Sequence, residues 1–295
     1  MRLSQHLQTL GLSASEARKA MSTGKVFLHG VPTSDGGRDI DPDAVSYRPN
    51  APRLVPGRDL AIVHKDKDLV VVWKPAGMLS VVARKAGGHL NVVGLIKKLT
   101  GSGLAVHRLD EQTSGLMMVA RTPDAQESLK AQLEVHSVTR RYLALCAGKT
   151  PNEPWTEDSH LVRNRGDGRR GSAKGAPPQD SRHAITHFET IEPVGSRVSL
   201  VGASLETGRT HQVRIHLSER RHAILGDPLY APAGITQAAP RLTLHACMLG
   251  IDHPRTGARM TFEAPLADDI EQLRRHLIHE AANPPKPTRR RKKRR

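Results

Sequence analysis

Two polar segments of the sequence contain side chains whose types and spacing could carry out chemistry. The first, HRLDEQTSGL at residues 107–116, places Asp110 between an apolar run and a polar turn. The second, LETGRTHQVRIHL at residues 205–217, contains Arg214. A helix here would bury Val213 and the leucine four residues later, and would turn Arg214 toward whatever it packs against. Because a buried arginine needs a carboxylate, Asp110 is the natural partner. Taken by itself, the first segment is typical of an aspartate that caps a β-turn, and the second segment shifts the balance toward chemistry.

Other kinds of catalytic or cofactor site lack their usual sequence patterns. The histidines form no HExxH pair, and Cys146 and Cys247 have no partner at CxxC spacing, so no metal site is predicted. The patterns GxxxxGK[ST], GxGxxG after a strand and GxSxG are also absent, so neither a nucleotide cofactor nor a nucleophile elbow is indicated. Both cysteines lie in apolar runs, and we expect them to be buried reduced thiols.

The charge of the chain favours a polyanionic partner. Lysine and arginine number 45 and the acidic residues 29, so the formal net charge is +16. Eight of the positive charges lie in residues 284–295 (PPKPTRRRKKRR), and the rest of the chain is moderately basic. No apolar run is long enough to cross a membrane, and no signal-peptide core is visible. We therefore expect a nucleic-acid partner, no membrane association and a cytoplasmic location.

The elements that must position these residues fall into two units. Residues 1–48 contain two amphipathic helices, the second begun by a capping box at Ser13, and then a short strand. The proline-rich residues 49–58 are predicted to be a linker. Strands dominate residues 59–280 and helices occur irregularly among them, which indicates an α+β domain with a mixed, mostly antiparallel sheet and flanking helices. Residues 281–295 are predicted to be a basic disordered tail.

Four local predictions in the larger unit bear on the site. A strand is expected over residues 104–110 and would end at Asp110. Residues 163–182, rich in Gly, Pro and Arg, are expected to form a mobile basic loop. A helix is expected to start near Thr210, and a closing helix is expected over residues 268–277.

Further motifs accompany the two segments in chain order. They are KPAG at residues 74–77, RYLA at residues 141–144 and GDPLY at residues 226–230. Together the five closely resemble the signature motifs of the RluA-type pseudouridine synthases, and residues 1–48 resemble the alpha-L RNA-binding domain that precedes many of these enzymes. The resemblance implies a pseudouridine synthase-like fold and the isomerisation of uridine to pseudouridine within RNA. That reaction changes no oxidation state and consumes no water, so it implies no cofactor and no metal.

The resemblance also implies a role for each matching residue. Asp110 would be the catalytic carboxylate, either by attacking the anomeric carbon or by removing a ribose proton. Arg214 would pair with Asp110 and keep it ionised and oriented, and Tyr142 would stack on the extruded uracil. Asp227 and Tyr230 are expected to be scaffolding. Contacts with RNA are expected for Arg108, Thr113, Arg141, Arg209, Lys74, Arg18, Lys19 and Lys25. For Lys74, a solvated position is as consistent with the sequence as a phosphate contact. For Arg18, Lys19 and Lys25, a solvated basic face is equally consistent.

Two other functions compete with this hypothesis. A non-catalytic RNA-binding or RNA-chaperone protein could use the same scaffold, but such a protein would be expected to have lost Asp110 or Arg214. A base-excising glycosidase would need a second acid, for which Glu111 and Glu206 are the nearby candidates. Ribosomal RNA is favoured over tRNA because the alpha-L domain often accompanies enzymes that act on large RNA. The chain is expected to be a monomer.

Overall fold

The computed structural model of the chain describes residues 1–28, 31–32, 36–49, 53–54, 60–82 and 90–283. The described strands form two sheets, one of three strands in the N-terminal unit and one of twelve in the larger unit. No helix in these ranges has the length and apolar character needed to cross a membrane.

The N-terminal unit packs two helices against a small antiparallel sheet. Its elements are α1 (Leu3–Thr9), α2 (Ala14–Ser22), β1 (Val26–Leu28), β2 (Val31–Pro32) and β3 (Val45–Tyr47). The predicted capping box is formed, because Glu16 N donates to Ser13 Oγ at 3.2 Å and Ser13 N donates to Glu16 Oε2 at 2.8 Å. Of the proposed linker, residues 50–52 and 55–58 lie outside the described ranges, while residues 53–54 add a strand to the larger sheet.

The larger unit contains twelve strands and five helices among the described residues. The strands are β4 (Arg53–Leu54), β5 (Ala61–Lys65), β6 (Leu69–Lys74), β7 (Leu104–Ala105), β8 (Ser114–Ala120), β9 (Thr139–Ala147), β10 (Trp155–Val162), β11 (Gly171–Ser172), β12 (Arg182–Val194), β13 (Val198–Leu205), β14 (Leu244–Asp252) and β15 (Arg259–Glu263). The helices are α3 (Val92–Thr100), α4 (Pro123–Glu134), α5 (Gln212–Glu219), α6 (Ala233–Thr236) and α7 (Asp268–Ala282).

The large sheet is mixed and mostly antiparallel, as predicted. Its strands follow the order β11-β10-β12-β13-β9-β14-β8-β6-β5-β4, with β15 on β14 and β7 on β8. Among the described strands, only β8 and β14 pair in parallel, with Ser114 opposite His245 and Gly115 opposite Ala246. The segment with the aspartate therefore leads directly into the centre of the sheet.

Apolar side chains cover both faces of this sheet. On β9, Tyr142, Ala144 and Cys146 join the core cluster on one face, where Val213 and Leu217 of α5 also pack. Successive strand residues point to opposite faces, so Leu145 joins a different cluster beneath α7. Cys146 is buried and Cys247 half-buried, and both are free thiols.

Four predicted elements differ from the structure. Strand β7 ends at Ala105 because His107 Nε2 accepts a hydrogen bond from Met118 N at 3.1 Å, so a side chain replaces the backbone partner. Segment 163–182 contains β11, which pairs with β10, and is not a loop throughout. Helix α5 begins two residues after Thr210, because His211 has a left-handed backbone (φ 63°). Helix α7 continues to Ala282, so the predicted tail starts within it, and residues 284–295 lie outside the described ranges.

Candidate active site

The two polar segments meet at a cavity of about 440 Å³. Asp110 and Arg214 line it, and Tyr142 of β9 forms another part of its wall. We call it the Asp110 cavity. Arg108, Thr113 and Arg209 also line it, so six of the residues singled out from the sequence lie around one space.

The loop that carries Asp110 is held by hydrogen bonds rather than by a strand ladder. Ser80 Oγ donates to the carbonyl of Leu109 at 2.7 Å and accepts from Leu109 N at 3.0 Å. Thr113 N donates to the carbonyl of Asp110 at 3.1 Å and closes a tight turn. These bonds fix the backbone on both sides of the carboxylate, so its orientation does not depend on solvent-exposed contacts.

Lys74 is also part of this support. Its buried position contradicts both predictions for it, a phosphate contact and a solvated position. Its side chain is fully buried, and Nζ donates to the carbonyls of Pro75 (2.9 Å), Met78 (2.8 Å) and Glu111 (2.9 Å). Burial lowers the pKa of Lys74 to about 7, although Asp110 and Glu111 oppose that shift. The ammonium therefore joins the KPAG turn to the Asp110 loop and cannot reach RNA.

Arg214 connects two carboxylates. Its Nη1 donates to Asp110 Oδ2 at 3.0 Å, while Nε and Nη2 donate to the two oxygens of Asp227 at 2.8 Å each. Asp227 is fully buried and also accepts from the backbone N–H groups of Leu229 and Tyr230. Burial acts to raise the pKa of Asp227, but the Arg214 guanidinium and these N–H groups lower it below its ordinary value. Asp227 thus fixes one edge of the guanidinium, and the free edge faces Asp110.

The start of α5 is anchored to the sheet by an amide. Gln212 Nε2 donates to the carbonyl of Ile185 and to Thr186 Oγ1, both at 2.9 Å. Gln212 Oε1 accepts from Thr207 Oγ1 at 2.8 Å and from Arg209 N at 2.9 Å. Sequence reasoning missed this network, which explains how the helix that carries Arg214 keeps its position.

His211 adds an imidazole to the site that sequence reasoning also missed. Its Nδ1 shares a hydrogen bond of 2.9 Å with Tyr230 Oη, and its Nε2 lies 3.8 Å from Asp110 Oδ2. Burial and the nearby Arg214 lower the pKa of His211, while Asp110 opposes them. These surroundings favour the neutral ring, and Arg214 is the cation that is hydrogen-bonded to Asp110.

The arginine pair before Tyr142 is divided between the two faces of β9. Tyr142 is buried, and burial raises the pKa of its phenol to about 12. Arg140 lies on the same face and lines the Asp110 cavity. Arg141, for which an RNA contact is predicted, points to the opposite face, where Nη2 forms an ion pair of 2.6 Å with Glu189 Oε1. The period of two along a strand could have identified Arg140 from the sequence.

The remaining predicted RNA-binding residues occupy varied positions. Arg108 is exposed at the mouth of the Asp110 cavity, whereas Thr113 is buried in its wall. The Thr113 hydroxyl has no hydrogen-bond partner among the described residues. In the N-terminal unit, Arg18 and Lys19 are exposed on α2 and Lys25 is half-buried.

A second cavity of about 510 Å³ adjoins the first, and Gly208 and Arg209 line both. We call it the arginine cavity. Its charged lining residues are Arg163, Arg170, Arg182, Arg209 and Asp180. Three arginines of the basic segment 163–182 therefore face a space that continues from the Asp110 cavity.

The two acids considered for a glycosidase do not line the Asp110 cavity. The Glu206 carboxylate is hydrogen-bonded to His187 at 2.6 Å, and Glu111 contributes its backbone carbonyl to Lys74. This arrangement gives no support to either acid as a second catalytic carboxylate.

Comparisons with known proteins agree with the geometry of this site. Residues 68–219 match the family described as RNA pseudouridylate synthase. The RNA pseudouridine synthase YlyB of Bacillus subtilis is 35% identical over 280 residues, which cover 90% of this chain and 89% of that protein. The ribosomal large subunit pseudouridine synthase D of Zymomonas mobilis is 39% identical over 78% of this chain and 75% of its own length.

Solved structures share the fold. Human RNA pseudouridylate synthase domain containing 1 superposes with a TM-score of 0.58 at 24% identity and covers 80% of this chain and all of its own. Human RNA pseudouridylate synthase domain containing 4 gives the same TM-score of 0.58 at 22% identity, with 74% of this chain and 92% of that chain covered. The matched residues 68–219 include Asp110, Tyr142 and Arg214, and the chain belongs to the RNA pseudouridylate synthase family, in the RluA-type group that its motifs resemble.

Proposed function

We propose that this RNA pseudouridine synthase isomerises uridines of large-subunit ribosomal RNA and works in the cytoplasm. The observation that carries the proposal is the ion pair between Asp110 and Arg214 in the wall of a cavity that Tyr142 also lines. Ribosomal RNA is proposed as the substrate because relatives such as that of Zymomonas mobilis are named ribosomal large subunit pseudouridine synthases.

Asp110 is proposed to act on the ribose of the target nucleotide. The bond from uracil N1 to the sugar breaks, the uracil turns, and a bond from C5 to the same sugar carbon forms. The proton lost from C5 is balanced by the proton gained at N1, so substrate and product are isomers. The carboxylate stabilises the positive charge that develops on the sugar, whether it attacks the anomeric carbon or removes a ribose proton.

Arg214 and Tyr142 are proposed to position the reacting groups. Arg214 holds the carboxylate with a guanidinium that Asp227 has already fixed, so little reorganisation is needed during the reaction. With a pKa of about 12, the Tyr142 phenol stays protonated at neutral pH. Its proposed role is therefore that of a flat surface against which the uracil can stack and turn, not that of a base.

The RNA is proposed to extend from the Asp110 cavity into the arginine cavity. An extruded nucleotide brings its flanking phosphates with it, and arginines bind phosphates through paired N–H donors. Arg209 lies between the two cavities, and Arg163, Arg170 and Arg182 line the second. These contacts hold the backbone, while selection of the uridine requires contacts with bases.

The test compares wild type with Asp110→Asn on unmodified large-subunit rRNA and on unmodified tRNA, with pseudouridine mapped at single-nucleotide resolution. We expect wild type and the control Asp124→Asn to convert defined uridines in rRNA. Asp124 is an exposed carboxylate on α4 and lies outside both cavities. Asp110→Asn should convert none. Conversion of tRNA alone would overturn the proposed substrate, and conversion by Asp110→Asn would overturn the role of Asp110.

A further inference from the structure

Arg140 is a buried cation that faces the Asp110 cavity. It lies on β9 two residues before Tyr142, so both side chains point to the same face of the sheet. The residue is 9% exposed and lines the cavity. It therefore lies where an extruded uridine would bind.

Among the described residues, the guanidinium of Arg140 has no anionic partner. Its Nη2 donates to the backbone carbonyl of Glu206 at 2.7 Å, and its Nε has no hydrogen-bond partner within the described ranges. No carboxylate of the described residues forms an ion pair with Arg140, whereas Arg214 across the same cavity has two. Burial and the nearby Arg209 lower the pKa of Arg140, although Tyr142 opposes them, so the surroundings disfavour its charge.

Such a charge is costly to keep inside a folded protein unless something else compensates it. An unpaired ion in a protein interior loses its hydration without regaining an equal interaction. Arg209 and Tyr142 act on the charge of Arg140, and His107 lies nearby with its pKa lowered to about 3 by burial and by Arg140 itself. Asp110 and Glu134 line the same cavity, but neither forms an ion pair with Arg140. The Thr113 hydroxyl, buried in the same cavity wall, also has no hydrogen-bond partner among the described residues.

We infer that Arg140 binds a phosphate group of the uridine nucleotide that enters the Asp110 cavity. Uracil and ribose are neutral, so the phosphate is the part of that nucleotide that supplies the missing negative charge. This inference rests on the proposed function for the identity of the ligand, and it adds a phosphate-binding residue to that site. Nη1 makes no hydrogen bond to the described residues and is available to donate to a phosphate oxygen.

Gly208 provides the space in which this guanidinium lies. A Cβ atom at position 208 would meet Arg140 Nη1, with no room between them. Gly208→Ala would therefore displace the guanidinium while leaving its charge in place. It should reproduce part of the effect of removing Arg140.

The first test measures RNA affinity over a range of salt concentrations for wild type, Arg140→Gln and Arg141→Gln. Arg141 is the matched control because it lies on the same strand, faces the opposite side and pairs with Glu189. For Arg140→Gln we expect about tenfold or more weaker binding, as for loss of a hydrogen bond to a charged group. Log affinity decreases as log salt rises, and the magnitude of this slope should be smaller by about 0.7–0.9, the value for one phosphate contact. An unchanged slope in Arg140→Gln would overturn the inference.

A thermal unfolding measurement separates phosphate binding from a structural role. If Arg140 only held the carbonyl of Glu206, Arg140→Gln would melt at a lower temperature and bind RNA with the wild-type salt slope. We expect instead an unchanged or higher melting temperature, because an unpaired buried charge has been removed. A lower melting temperature with an unchanged slope would assign Arg140 to the scaffold.

A second probe needs no RNA turnover. Millimolar uridine 5′-monophosphate should raise the melting temperature of wild type more than uridine does, and Arg140→Gln should lose that difference. Equal effects of the two compounds on wild type would overturn the inference, since the uracil alone would then account for binding. Because neither assay uses pseudouridine formation, failure here is distinct from failure of the proposed reaction.

Discussion

At the scale of single residues, the site depends on one guanidinium with two carboxylate partners in different surroundings. Asp227 is fully buried and binds Arg214 through both oxygens, whereas Asp110 is partly open to the cavity and receives one N–H. The buried pair compensates most of the cost of burying Arg214. Asp110 can therefore change its interactions during a reaction without leaving the arginine unpaired.

Asp227→Asn should damage both folding and reaction. The amide keeps the shape of the side chain but removes the charge that fixes Arg214, so we expect the free energy of unfolding to fall by about 2–4 kcal/mol. The single-turnover rate at saturating RNA should fall by about tenfold or more, because Arg214 would no longer be held toward Asp110. Urea unfolding and rapid-quench kinetics measure the two effects.

The matched control for this change is Asp269→Asn. Asp269 also forms a two-point pair, with Arg241, but its side chain is 46% exposed. We expect a loss below about 1 kcal/mol for this surface pair. Equal destabilisation by the two variants would mean that burial does not set the strength of the Asp227 pair.

Among the secondary-structure elements, strand register and the alternation of side chains between the two sheet faces decide which residues line the site. Strand β9 sends Arg140 and Tyr142 into the cavity and Arg141 to the other face, so a shift of one residue would exchange the two arginines. The parallel pairing of β8 with β14 is what brings the Asp110 loop to the middle of the sheet.

The meeting of Asp110, Tyr142 and Arg214 at one cavity was predictable from the sequence, because their motifs require particular side chains at particular positions. Contacts set by tertiary packing were not. The burial of Lys74 is not predictable from the sequence, because its partner Glu111 is 37 residues away and no local pattern encodes that approach. The sequence analysis predicts an RNA contact for Arg141 and does not include Arg140, although the alternation of side chains along a strand distinguishes the two.

Gly115→Ala should disrupt the junction of β8 and β14. Gly115 has φ +116°, and a Cβ there would meet the backbone of Ala246. Strain at such a φ costs about 1–3 kcal/mol, and separating the two strands adds to it, so we expect a loss of about 3 kcal/mol or more in urea unfolding.

Gly101→Ala is the control for backbone strain alone. Gly101 ends α3 with φ +81°, and a Cβ there would contact no described atom within 4 Å. We expect a loss of about 1 kcal/mol, the cost of placing alanine in a left-handed cap. If the two alanine variants were equally stable, close approach of β14 would not explain the glycine at 115.

In the molecule as a whole, the residues that carry the excess positive charge are not the histidines whose pKa values are lowered. Half of the net charge of +16 lies in residues 284–295, outside the described structure, and several arginines of the rest line the arginine cavity. The interior of the larger unit instead holds histidines that are kept neutral. His107, His216 and His245 have pKa values lowered to about 3, 4 and 3, chiefly by burial.

These histidines should make the fold less stable in mild acid. Below pH 6.5 the unfolded chain takes up protons on them while the folded protein does not, so stability falls as the pH drops toward 4. Each histidine contributes up to about 1.4 kcal/mol per pH unit across that range. Asp227, whose pKa is lowered, adds a loss only below its ordinary value of 3.8, so the histidines dominate between pH 6.5 and 4.

Urea unfolding at intervals between pH 7 and pH 4.5 tests this, with His216→Gln as the informative variant. His216 is buried and hydrogen-bonded to Thr186 and Ser159, so glutamine retains polar groups but cannot be protonated. We expect His216→Gln to be less stable than wild type at pH 7 but to lose stability more slowly as the pH falls. Identical slopes for the two proteins would show that His216 does not take up its proton on unfolding, and the acid sensitivity would then have to arise from carboxylates.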